Sequence, residues 1–131
     1  MKYRYHHIHL ICRDLPTTEA FFTTDLGAAL VERRKFGTAD GAILDLGGTR
    51  IYLRTHRDGD AITGDSSNPR FGYDHIGLQV EDLDAAHRAL SAKGYVFFMP
   101  PQQPGAVLGD MRIAFLKGPD NISVELLQLL E

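Results

Sequence analysis

His7-Ile8-His9-Leu10-Ile11-Cys12-Arg13-Asp14-Leu15 lines up with His75-Ile76-Gly77-Leu78-Gln79-Val80-Glu81-Asp82-Leu83, 68 residues further along a chain of 131. A repeat at about half the chain length decides the fold reading, because both halves face the same packing problem. Each copy begins as an apolar-rich alternating run, which reads as a strand. Each ends in Asp-Leu, where Asp14 or Asp82 can cap a helix N-terminus. The two helices run to Gly27 and Gly94, both suited to a left-handed C-terminal position. Pro16 falls in the first turn, where proline is tolerated. Phe22 and Leu26 share a face of the first helix; Leu83, Ala86, His87 and Leu90 share one of the second.

Three strand-like runs follow each helix: 29–36, 42–46 and 50–55 in the first half, and 95–99, 111–116 and 122–127 in the second. Gly47-Gly48 and Gly118-Pro119-Asp120-Asn121 supply turns before the last strand of each half. The unit is strand–helix–strand–strand–strand, twice, over about 1–56 and 71–131. The Gly-, Asp-, Ser- and Pro-rich stretch 57–70 reads as a linker. Pro100-Pro101-Gln102-Gln103-Pro104-Gly105 reads as a rigid loop between two strands.

Length and composition suit one domain, 1–131. Hydrophobic residues at 44% and charged residues at 24% are globular values. A net charge of −3 excludes a strongly basic nucleic-acid binder. No apolar stretch is long enough to span a bilayer. Met1-Lys2-Tyr3-Arg4-Tyr5-His6 lacks the apolar core of a signal peptide. A single cysteine, Cys12, excludes an intramolecular disulfide framework and a Cys-rich zinc site, so a cytoplasmic protein is expected. Ten of the 14 basic residues are Arg, a bias that suits carboxylate or phosphate contacts.

Strand parity sorts the faces. Ile8, Leu10 and Cys12; Ile51 and Leu53; Ile76, Leu78 and Val80; and Ile122, Val124 and Leu126 are expected under the helices. The opposite faces carry His7, His9 and Ile11; Arg50, Tyr52 and Arg54; His75, Gly77 and Gln79; and Ser123, Glu125 and Leu127. His7 and His75 are repeat-equivalent, and Glu125 faces the same way. Two imidazoles and one carboxylate form a ligand set for Fe(II), Mn, Co, Ni or Zn, with positions left for water and substrate.

These motifs, together with Gly118-Pro119-Asp120-Asn121-Ile122-Ser123-Val124-Glu125-Leu126, resemble the vicinal oxygen chelate superfamily over nearly the whole chain. That superfamily includes glyoxalase I, methylmalonyl-CoA epimerase, fosfomycin-resistance proteins, bleomycin-binding proteins and extradiol dioxygenases. The resemblance implies an α+β fold of two paired βαβββ units, a curved mixed-sheet cup around one divalent metal ion, and a homodimer. It puts the metal ligands on His7, His75 and Glu125. In glyoxalase I a fourth ligand, a carboxylate, comes from the last strand of the first unit. Here the equivalent position is Tyr52, a poor ligand as a neutral phenol, so three ligands are expected.

His9 lies roughly 6.7 Å along the strand from His7 and can serve as acid or base. Tyr52 can hydrogen-bond a substrate oxygen or move the proton. Arg50, Arg54, Gln79 and Ser123 are candidate substrate contacts, the arginines for an anionic group. The parity of Arg112 is open. His6, His56 and His87 read as surface or packing residues, and Cys12 as an inert core thiol.

The activity expected is glyoxalase-like lyase or isomerase chemistry on a small oxygen-chelating substrate through a metal-stabilised enediolate. The alternatives are an Fe(II)-dependent extradiol-type dioxygenase, a fosfomycin-resistance-type transferase, and a metal-free antibiotic-binding protein. No nucleic acid and no membrane partner are expected.

Overall fold

The computed structural model describes residues 1–65, 69, 71–102 and 110–130. The chain divides into two compact units, Met1–Gly64 and Asp65–Glu131. The first contains β1 (His7–Ile11), α1 (Leu15–Ala20), β2 (Ala29–Phe36), β3 (Ala39–Leu46) and β4 (Thr49–Arg54). The second contains β5 (Ile76–Gln79), α2 (Leu83–Ala92), β6 (Phe97–Gln102), β7 (Met111–Lys117) and β8 (Ser123–Leu129). Each unit is an open four-stranded mixed sheet, in the orders β1-β4-β3-β2 and β5-β8-β7-β6. The fold class is the expected α+β.

The repeat extends to register. β1 pairs with β4 in parallel, His9 opposite Tyr52, and β5 pairs with β8 in parallel, Gly77 opposite Glu125. Tyr52 and Glu125 therefore occupy the same place in their units. Both helices start as expected: Asp14 accepts from Thr17 N–H at 3.0 Å, and Asp82 from Ala85 N–H at 2.9 Å. Gly27 and Gly94 take the left-handed backbone, φ 84° and 95°, that ends each helix.

The apolar face of each sheet packs under its own helix. In the first unit Cys12, Phe21, Phe22, Ala42, Leu44, Ile51 and Leu53 are buried; in the second Leu83, Leu90, Ala114, Leu116, Val124 and Leu126 are. Each large apolar side chain removed from water contributes about 1.5–3 kcal/mol. Arg112 falls on the helix side of β7, where its guanidinium donates to both carboxylate oxygens of Asp84 at 2.9 and 3.0 Å. His87 is half-buried edge-on against Phe97, a packing role.

Three local expectations need correction. The first helix is not α-helical throughout: Phe21–Asp25 is a π-helical turn, with Leu26 N–H bonded to Phe21 C=O at 3.1 Å. The wider turn lets the adjacent Phe21 and Phe22 both point inward, where both are fully buried. β6 runs from Phe97 through Pro100 and Pro101 to Gln102, not over 95–99. It is an edge strand with register shifts, where the missing proline N–H breaks no obligatory ladder bond. β5 starts at Ile76, leaving His75 just before the strand. Of the proposed loop and linker, residues 103–105, 66–68 and 70 lie outside the described residues.

Candidate functional site

Each sheet leaves the face away from its helix uncovered by that helix, and every proposed site residue belongs to one of these two faces.

In the second unit, His75 Nε2 stands 3.9 Å from Glu125 Oε1. That is too far for a hydrogen bond. The other ring nitrogen is occupied: Nδ1–H donates to Asp74 Oδ2 at 2.7 Å. This contact engages Nδ1 and leaves Nε2 on the side of Glu125, as in carboxylate–histidine–metal arrangements. Glu125 side-chain exposure is 18%, and its carboxylate lies over Gly77, where a Cβ would sit 3.3 Å from Oε1. Phe115 closes one side, its ring centroid 5.0 Å from that of His75. Ser123 accepts from Lys117 Nζ at 2.9 Å, and Lys117 Nζ also lies 4.7 Å from the centre of the exposed Phe98 ring. Gln79 is exposed, in register with Leu127.

In the first unit the equivalent place is aromatic. The His7 imidazole and the Tyr52 ring are stacked, centroids 3.9 Å apart and planes 11° apart. His7 Nδ1 shares a 2.9 Å hydrogen bond with His6 Nδ1. His9 stands edge-on to Phe36 at 4.7 Å and to Tyr52 at 5.6 Å. The Phe36 ring packs against Gly41, where a Cβ would come within 2.3 Å of the ring. Glycine at 41 therefore makes room for the aromatic floor.

Partial desolvation first, then the positive charges of Arg54, His7 and Arg57, hold His9 below the usual imidazole value of 6.5. Arg50 is half-exposed, its Nε 3.5 Å from Asp45 Oδ2. Arg54 is different: it is buried, and Nη1 donates to Asp60 Oδ2 at 2.6 Å and to Thr55 C=O at 3.1 Å. That bond, with a further one from Arg57 N–H, draws the Asp60 carboxyl down to about 2. One of the two cations expected to meet an anionic substrate is thus engaged within the chain. Cys12 is buried, its thiol donating to Arg54 C=O at 3.4 Å.

Sequence reasoning missed Asp74, Asp60, Phe36 and Phe115. Asp74 had a signal, a carboxylate adjacent to a candidate ligand histidine. Asp60 had none, since it lies in a stretch read only as linker. Among the described residues, no three His, Cys, Asp or Glu side chains gather at one point. No helix of the described residues is long and apolar enough to cross a membrane.

Comparison with curated proteins finds no match. Among solved structures, the chain is similar to a glyoxylase/bleomycin resistance protein/dioxygenase domain from Frankia sp. EAN1pec. The identity is 29% and the TM-score 0.79, over 100% of this chain and 95% of that one. A glyoxalase family protein from Bacillus cereus matches at 20% identity and TM-score 0.86, over 100% of this chain and 97% of that one. The genomically encoded fosfomycin resistance protein FosX from Listeria monocytogenes matches at 22% identity and TM-score 0.73, over 98% and 94%. The last two likenesses concern the fold alone. Residues 6–115 match a family description that covers most of the length of both units, and the chain belongs to the Glyoxalase/Bleomycin resistance protein/Dioxygenase superfamily.

Proposed function

We propose that the chain is a divalent-metal-dependent enzyme of glyoxalase-like lyase or isomerase type, acting on a small anionic substrate with adjacent oxygens. In this reading His7, His75 and Glu125 are the protein ligands of one Fe, Mn, Co, Ni or Zn ion. The observation that carries it is the His75–Glu125 pair: two donor atoms 3.9 Å apart, unbonded to each other, one oriented from behind by Asp74. Those donor types fit such an ion. The homodimer and the cytoplasmic setting belong to the same reading and rest on the family resemblance and the single cysteine.

When bound, the ion supplies Lewis acidity toward a substrate carbonyl. The chain supplies the rest. His9, whose pKa is held below the usual imidazole value, accepts the proton from the carbon beside that carbonyl through an imidazole nitrogen. The Tyr52 phenol hydrogen-bonds substrate oxygen. Arg50, on the same strand and half-exposed, takes the anionic group, while Arg54 is held on Asp60.

The test is deuterium incorporation. Metal-loaded protein is incubated in D2O with a panel of small hydroxy- and oxo-carboxylates, and mass spectrometry reads exchange at the carbon beside the carbonyl. The expected result is exchange with wild type and a fall of about 100-fold or more in His9→Ala. Substrate consumption that requires O2 and shows no exchange would overturn the lyase or isomerase reading in favour of a dioxygenase.

A further inference from the structure

Taking His7 as a metal ligand, as proposed above, we infer that Tyr52 is its positioning residue. Unit two orients His75 by a hydrogen bond from Nδ1 to Asp74. Unit one orients His7 largely by a flat aromatic contact. An exposed histidine at the first residue of a strand otherwise samples several rotamers, at a cost in entropy when it is ordered. The stack at 3.9 Å and 11° fixes the plane of the imidazole. The shared hydrogen bond to His6 engages Nδ1 and leaves Nε2 as the nitrogen with no partner among the described residues. Together they present one nitrogen in one orientation.

Tyr52 is itself held. It lies opposite His9 on β1 and opposite the buried Ile43 on β3. The Phe36 ring stands 5.8 Å from it, tilted by 38°. The position that carries the carboxylate in unit two therefore carries a ring support in unit one. The phenol ring and the phenol hydroxyl then have separate tasks: the ring orients His7, and the hydroxyl is free for substrate.

Aromatic ¹H–¹³C NMR of the metal-free full chain, followed by Zn titration against a competing chelator, tests this. The expected wild-type result is a His7 ring signal shifted upfield, by the current of the stacked ring, from that of the exposed His56. In Tyr52→Leu the shift collapses and Zn affinity falls roughly 10-fold or more. Tyr52→Phe keeps both the shift and the affinity. A wild-type His7 signal at the position of His56 would overturn the stack, whether or not the Leu variant folds. So would unchanged affinity in a folded Tyr52→Leu. His7→Ala separates the premise: unchanged Zn affinity there overturns the ligand assignment, and with it the positioning role, even if the ring shift is present.

Discussion

The two units share strand order, register, helix caps, a buried apolar face and the repeat-equivalent His7 and His75, yet their open faces differ at the other site positions. Where unit one has His7 stacked on Tyr52, unit two has His75 facing Glu125. Where unit one has Arg50 and Arg54, unit two has Ser123 and Leu127. The lesson is that the helix-covered face specifies the fold and is held to one pattern, while the other face tolerates different chemistry. In the proposed site unit two supplies two ligands, and unit one supplies one ligand, a base and a cation.

The shared scaffold is tested first, because its effect is largest. Phe22→Ala removes a fully buried ring beneath the π-helical turn and costs about 3–5 kcal/mol in urea unfolding. A cost below about 1 kcal/mol would show that this helix face does not hold unit one together.

The next variant, Arg54→Leu, installs the residue of unit two in unit one. It removes the guanidinium that donates to Asp60 at 2.6 Å, leaving Arg57 Nε at 3.6 Å, and lowers the urea midpoint at neutral pH. The pair also gives an acid signature. A carboxyl lowered from 3.8 to about 2 contributes its stability in full above the unfolded value and loses it as pH falls through the folded one. The gap between wild type and Arg54→Leu is therefore constant above about pH 5 and narrows between about pH 4 and pH 2. A gap that does not narrow would mean that the ion pair is not what holds β4 to the segment after it.

The smallest structural effect belongs to Arg50→Ser, again the residue of unit two. Stability changes by about 0.5 kcal/mol or less, since the site is half-exposed. KM for an anionic substrate rises roughly 10- to 100-fold, the worth of a charged hydrogen bond, with kcat retained. An unchanged KM would remove Arg50 from the substrate and leave the anion without its proposed partner.

The sequence carries the fold because a strand has a period of two and the repeat doubles each observation. Alternation in His7–Ile11 and in Ser123–Leu129 separates helix-facing from open-facing residues without knowledge of distant contacts. Asp14 and Asp82 were legible as caps for a similar reason: their bonds are local. What was not legible depended on partners remote in sequence or on backbone widening. Phe21 enters the core through a π-helical turn that a 3.6-residue period does not anticipate. Pro100 and Pro101 read as a loop because edge position, which tolerates them, is a property of the assembled sheet. Arg54 read as a candidate substrate contact because its partner, Asp60, gave no pattern of its own. At the candidate site the residue types were legible, as was the equivalence of Tyr52 with Glu125. The stack of Tyr52 on His7 and the support of His75 by Asp74 required side-chain coordinates.

Metal analysis by mass spectrometry on untagged protein, purified without added metal or chelator, tests the central claim most directly, with Glu125→Ala alongside. The account predicts near-stoichiometric divalent metal in the wild type and its loss in Glu125→Ala. Wild-type metal content in Glu125→Ala, or none in wild type after reconstitution with each candidate ion, would contradict it.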